Sequence, residues 1–262
     1  MRGDTVSVGD NKIIDRDIYL TRMQRSILDK MFFIDKVFEP FETVVDFGCA
    51  NGELIKALMR MCPEYRYEGY DIDSAMIAAA RENVPEVSFC DKWDDLKSDP
   101  KNSLINISST IHEVYSYGTD ADVTEFWNRI YGSGFRYVTV RDMMYSEKLE
   151  RPADEDMLAA VRNGAYTRQL SDFENVWGSI TTQKQLVHFL LKYKYTQNWE
   201  REVRENYFPI SSEKLLSQVP DGYEITFCET FALPFTAWQL RKDFGITLKD
   251  HTHIKLILER KD

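Results

Sequence analysis

The run Val44-Val45-Asp46-Phe47-Gly48-Cys49-Ala50-Asn51-Gly52-Glu53-Leu54 changes character twice within eleven residues. Thr43 to Phe47 is β-branched and aromatic, the composition of a buried strand. Gly48 and Gly52 then permit a sharp turn and a close approach of backbone to a ligand. From Glu53 to Cys62 the apolar positions Leu54, Leu58 and Met61 fall on one helical face. Strand, glycine turn and helix in this order are expected to aim free amide N–H groups at a bound ligand.

Downstream, Tyr65-Arg66-Tyr67-Glu68-Gly69-Tyr70-Asp71 forms a second strand pattern ending in an acid, nineteen residues after Gly52. An acid at that distance sits at the tip of the neighbouring parallel strand, where it accepts hydrogen bonds from both ribose hydroxyls of an adenosine. The two pieces together indicate a nucleoside-containing cofactor. A dinucleotide fingerprint would place glycines at 48, 50 and 53, but 50 is Ala and 53 is Glu. A carboxylate where a pyrophosphate must approach is electrostatically unfavourable. The spacing instead resembles motif I of the class I S-adenosylmethionine-dependent methyltransferases, acid-x-Gly-x-Gly-x-Gly, met by Asp46, Gly48, Ala50 and Gly52, with Ala50 replacing the middle glycine.

That resemblance implies S-adenosylmethionine as cofactor. It places Asp46, Gly48, Cys49, Ala50, Asn51 and Gly52 around the ligand, Asp71 on the ribose and Ile72 against the adenine. Farther on, Glu86 to Asp91 reads as a third strand with an acid at its end. The resemblance assigns Asp91 to the adenine amino group, with Lys92 or Trp93 beside the ring; a carboxylate does accept from an exocyclic amine. Asp91 is equally readable as a turn residue in the acidic loop with Asp94 and Asp95. Asp73 or Ser74 is a natural cap for the Ala-rich helix that follows.

Length and composition suit a soluble globular protein: 262 residues, 43% hydrophobic and 29% charged. No apolar run approaches the roughly 20 residues of a membrane helix, and the first residues lack the apolar core of a secretory signal. Cys49, Cys62, Cys90 and Cys228 make no close-spaced pair, so a reducing cytoplasmic setting is expected. A net charge of −10 argues against a surface that clings broadly to nucleic acid.

The fourth strand, Ser103 to Ser109, ends in Thr110-Ile111-His112-Glu113-Val114-Tyr115-Ser116-Tyr117. Class I methyltransferases place acceptor-facing residues there, and Ser108 joins the cofactor set. Neither an Asn/Asp-Pro-Pro-aromatic motif nor a Pro-Cys nucleophile occurs, which sets aside methylation of adenine amines and of cytosine C5. His112 as a neutral base and Glu113 as a second base are the catalytic candidates, with a pocket-lining His112 as the alternative. Asp142, at the tip of the fifth strand, either orients the acceptor or pairs with Arg141.

Residues 15–38 carry a helical stripe of Ile18, Met23, Ile27, Met31 and Ile34. Arg22 and Lys30 on it either meet a cofactor carboxylate or lie on a solvated face. Residues 147–210 exceed an ordinary αβ connection and hold three helical patterns, the last from Thr181 to Trp199. This insertion reads as a lid over the acceptor side. Within it Lys184, Lys192, Lys194, Arg201 and Arg204, interleaved with Tyr193, Tyr195 and Trp199, form either an RNA-tracking stretch or an amphipathic helix. His251 and His253 share a face but have no third metal ligand at sensible spacing, so no metal is expected.

The expected architecture is α/β: a Rossmann-like, seven-stranded, mostly parallel sheet with helices on both faces. It comprises an N-terminal helical segment (1–42), a methyltransferase domain (43–146 and 211–262) and the helical lid (147–210) inserted between strands 5 and 6. The expected function is transfer of a methyl group from S-adenosylmethionine to an O or N nucleophile of a small-molecule acceptor. RNA, tRNA in particular, is the alternative acceptor, and a non-catalytic S-adenosylmethionine-binding partner or sensor is a third reading.

Overall fold

The computed structural model describes residues 26–37 and 40–261. Seven strands form one sheet: β1 (Thr43–Phe47), β2 (Arg66–Tyr70), β3 (Ser88–Cys90), β4 (Ser103–Ser108), β5 (Tyr137–Met143), β6 (Tyr223–Phe231) and β7 (His253–Arg260). Their spatial order is β3-β2-β1-β4-β5-β7-β6. The first five run parallel, while β7 pairs antiparallel with both β5 and β6. The chain steps outward from β1 to β3 and returns to β4, so the order reverses between β1 and β4. Open α/β sheets bind ligands at such a reversal, beyond the carboxyl ends of the strands.

Strand alternation divides the core. Val45, Ile105, Val138 and Val140 face Ile111, Phe126 and Ile130 on α4 (Ile111–Tyr117) and α5 (Asp120–Gly132). Val44, Leu104, Tyr137 and Ile257 face the opposite layer, with Leu54 and Leu58 from α2 (Glu53–Met61) and Met31 and Phe33 following α1 (Ile27–Lys30). Full burial of one such leucine stabilises the fold by about 2 kcal/mol. On this second face a polar row replaces the apolar one near the strand ends. Asn106 donates to Asp46 Oδ1 at 2.9 Å, and Thr139 Oγ1 donates to Asn106 Oδ1 at 3.1 Å. All three are buried, so their mutual bonding offsets their desolvation.

Between β5 and β6 lie α6 (Glu155–Arg162), α7 (Thr167–Trp177), α8 (Gln183–Lys192), α9 (Trp199–Glu202) and α10 (Ser212–Ser217). The stripe Leu186, Phe189, Leu190 and Tyr193 is buried as its spacing requires, against Leu170 and Phe173 of α7. Ten of the twelve buried residues of that cluster come from the insertion, and Leu240 of α11 (Pro234–Phe244) and Ile246 complete it, so the inserted helices form a core of their own that is closed by α11. The helix expected to run from Thr181 to Trp199 stops at Lys192. Beyond it the chain turns back, and the wholly buried Lys192 amine donates to the carbonyls of Glu202 and Glu205.

Of the N-terminal stripe, Ile18, Met23 and Arg22 lie outside the described residues; Met31 is buried, and Ile27 and Ile34 pack beside it. Asp29 of α1 anchors this segment to the sheet, pairing with Arg141 at 2.7 Å and Lys255 at 2.6 Å.

Candidate active site

The turn after β1 holds three left-handed residues: Gly48 (φ 74°), Ala50 (φ 46°) and Gly52 (φ 78°). Ala50 therefore adopts the glycine-like conformation that its motif position demands, at a cost of about 1 kcal/mol. Gly48 is less replaceable, since a Cβ there would stand 2.5 Å from Thr110 Oγ1. Gly48→Ala is expected to lower stability by about 2 kcal/mol through strain and clash together, read from urea midpoints at unchanged slope.

Four of the loop amides, those of Gly48, Cys49, Ala50 and Gly52, are already bonded, where the motif led to an expectation of free ones. Gly48 N and Cys49 N both donate to the Tyr70 carbonyl at 2.8 and 3.0 Å, and Gly52 N donates to Cys49 O at 2.9 Å. Ala50 N donates to Asp71 Oδ2 at 2.8 Å. These bonds fasten the turn to β2. Asp71 Oδ1 takes the Asp73 amide at 2.9 Å, and burial raises the Asp71 carboxyl to about 6 despite both amide bonds. Asp46 is likewise raised to about 6, burial outweighing the Asn106 bond and the Lys30 charge. Asn51 Oδ1 and Ser108 Oγ are buried and find no hydrogen-bond partner among the described residues. Such orphaned acceptors beside a carboxylate fit a polar ligand across the ends of β1, β2 and β4.

Other expected contacts differ in character. Asp73 caps α3 (Ser74–Asn83), accepting from Ala75 N at 2.8 Å. Ile72 is 63% exposed at the lip, available as an apolar wall. Cys49 turns its side chain into the cluster of Ile77 and Phe89, leaving only its backbone at the turn. Asp91 is half-buried just after β3 and Lys92 is exposed. The Trp93 ring packs on Phe47, Tyr70 and Phe135 at centroid distances of 5.8, 5.6 and 6.2 Å, so much of its surface is committed to the core.

Lys30 does not lie on a solvated face. It is buried, and burial together with Arg141 lowers it to about 8, while Asp46, Asp142 and Glu113 pull it back up. The sheet thus receives a cation from α1 among Asp46, Asp142 and Glu113. Arg141, expected to pair with Asp142, binds Asp29 through Nε at 2.7 Å and Ser109 through Nη1 at 3.2 Å.

Asp142 serves α4 instead. Its Oδ2 accepts from Ile111 N at 2.7 Å, and its Oδ1 lies 2.6 Å from His112 Nδ1. The other imidazole nitrogen lies 3.6 Å from Glu205 Oε1. Burial, the strongest influence on His112, lowers it, but Asp142, Glu205 and Glu113 together carry it to about 9. The balance favours the protonated imidazole, which bears on the reading of His112 as a neutral base and leaves its pocket-lining alternative in place. Glu113 is ion-paired with Arg201 at 2.8 Å, so it too is held by a cation.

The basic–aromatic stretch is not a surface track. Lys192 and Tyr193 are wholly buried, Arg201 and Trp199 nearly so. Lys184 pairs with Glu150 at 3.1 Å and covers the Tyr145 ring, and Lys194 bonds Gln239 at 2.8 Å. His253 is buried on Thr252 while His251 is exposed against Thr230, so the two histidines do not form a ligand pair. A hollow of about 340 Å³ lined by Arg66, Glu68, Lys97 and Asn102 opens at the opposite, amino-terminal ends of the strands, away from this chemistry.

The strand order, the glycine turn and the Asp71 carboxylate bonded to it give the sheet the Rossmann-like architecture of the class I methyltransferase fold. A family model described as "Methyltransferase domain" matches residues 44–131, the span that runs from β1 to the last turn of α5. A trans-aconitate 2-methyltransferase of Mycobacterium ulcerans (strain Agy99) is 28% identical over 131 residues, covering 49% of this chain and 46% of that protein. The match thus spans about half the length of the curated relative. The plantazolicin methyltransferase BamL, solved with a triazolic desmethylPZN analog and SAH, superposes with a TM-score of 0.51 at 12% identity, over 94% of this chain and 88% of that one. The pyocyanin biosynthetic protein PhzM does so at 0.53 and 14% identity, over 93% and 57% respectively. Among the described residues no helix is long and apolar enough to cross a membrane.

Proposed function

We propose that the protein binds S-adenosylmethionine in the cleft between the β1 turn and Asp71 and methylates an O or N nucleophile of a small molecule. The observation that carries this reading is the Asp71 carboxylate, which bonds Ala50 N at the point where the strand order reverses. Asp71 would hold the ribose, Asn51 and Ser108 would complete polar contacts that they lack within the chain, and Lys30 would face the carboxylate of the methionine part. When bound, S-adenosylmethionine supplies an activated methyl group on a sulfonium, so a strong base is not obligatory and positioning carries much of the rate. The chain's share is to orient the acceptor and exclude water at the corner formed by His112, Glu113 and the inserted segment.

A small acceptor is favoured over RNA because the stretch that would grip a phosphate backbone is spent on internal contacts. The name of the curated relative, an enzyme acting on a small organic acid, agrees. We place the protein in the cytoplasm, since Cys49, Cys62, Cys90 and Cys228 are all free thiols. The test is a screen with radiolabelled methyl donor against pools of small organic acids, phenols and amines, with tRNA in parallel and Asp71→Ala as the blank. Label in a small-molecule pool is the expected result. Label in tRNA would overturn the acceptor class, and label in none despite tight donor binding would favour a sensor.

A further inference from the structure

We propose that Glu205, supplied by the inserted segment, is a positioning residue that completes the site by clamping His112 against Asp142. This deepens the reading above, for it gives the lid a defined chemical contribution at the acceptor corner. Glu205 is 3% exposed, and its Oε1 lies 3.6 Å from His112 Nε2 and 3.4 Å from Arg201 Nη2. Arg201 in turn reaches Glu113 on α4 at 2.8 Å. Behind Glu205 the Lys192 amine gathers the carbonyls of Glu202 and Glu205, and the Asn206 amide donates to Ser116 Oγ at 2.8 Å. The 201–206 segment is thus seated on α4 by both side chains and backbone.

His112 consequently lies between a carboxylate from β5 and one from the lid, each near a different ring nitrogen. Nδ1 is hydrogen-bonded to Asp142, while Nε2 stands at ion-pair and not hydrogen-bond distance from Glu205. Burial raises the Glu205 carboxyl against the pull of His112 and Arg201. Turning the ring would give up the Asp142 bond and the Glu205 contact together. Also near it are Glu113 on its own helix, the buried His253 of β7, which burial and neighbouring cations hold neutral, and the Tyr207 ring, edge-on at 5.7 Å; Arg201 bonds the two glutamates. His112, Glu113 and Glu205 present three ligand atoms within 4.8 Å of one another, a spacing that would admit a metal ion. Arg201 bonds both of those carboxylates, however, so the cation of this cluster is already a guanidinium.

The experiment follows the His112 ring by ¹⁵N NMR titration of the whole protein, its signals assigned by their loss in His112→Gln. In Glu205→Gln the His112 midpoint should fall by about one pH unit, while Asp142 keeps it from returning fully to the free value. In Glu205→Asp, which retains the charge, the midpoint should fall by no more than about half as much. Once an acceptor is in hand, Glu205→Gln should lower kcat while leaving donor affinity within about twofold. An unmoved His112 midpoint in the folded Gln variant overturns the proposal. Should Glu205→Gln fail to fold, Glu205→Ala takes its place with the same fall expected, and an unmoved His112 midpoint in that variant overturns the proposal. The titration needs neither donor nor acceptor, so failure of the methyl-transfer reading would leave it intact.

Discussion

Asp142→Ala is expected to cost about 3–5 kcal/mol of stability, because it strands buried groups rather than removing one contact. The carboxylate is fully buried and accepts from Ile111 N, from Met143 N at 2.7 Å, and from His112. Without it, α4 loses its N-terminal acceptor and His112 loses its closer counter-charge. Burial tends to raise Asp142, yet His112 and the amide bonds hold it below the usual carboxylate range. His112 is the complementary case: its folded value of about 9 lies above the ordinary 6.5. Its contribution to stability is therefore complete below pH 6.5 and disappears as pH rises through about 9. Urea denaturation at pH about 6 and about 9.5 should show that alkaline loss in the wild type and a much smaller one in Asp142→Ala. Asp142→Asn should fall between them.

Asp71→Ala should weaken S-adenosylhomocysteine binding by about 3 kcal/mol, roughly 100-fold, in calorimetry. Two ribose hydrogen bonds to a carboxylate would be lost, and Ala50 N and Asp73 N would be released, loosening the turn. Because burial raises the Asp71 carboxyl to about 6, affinity should decline as pH drops through 6 and level off above it. Asp71→Asn should bind more weakly at neutral pH and lack that step. An alanine variant binding as tightly as the wild type would remove Asp71 from the ribose.

What could be read in advance was what local chemistry dictates. The β-branched run, the paired glycines and the acid nineteen residues beyond them describe neighbouring elements, and their geometry follows from spacing alone. The Asp73 cap and the stripe of Leu186, Phe189, Leu190 and Tyr193 are local in the same sense. The parts that went unread depend on contacts between distant segments. The titration of His112 is raised by Asp142, thirty residues away, and by Glu205 on the inserted segment. Lys30 and Lys192 read as surface lysines, yet packing buries both, and for each burial is the largest pull on the amine. Nor does a glycine turn reveal that two of its amides, those of Gly48 and Cys49, will be taken by the Tyr70 carbonyl.

The most direct measurement is a crystal structure of the protein grown with S-adenosylhomocysteine. The nucleoside should lie over the β1 turn with both sugar hydroxyls on the Asp71 carboxylate and the sulfur directed toward Ser108 and His112. Density for that ligand elsewhere, or a structure at saturating ligand with side chains filling the space between residues 48–52 and Asp71, would contradict the assignment.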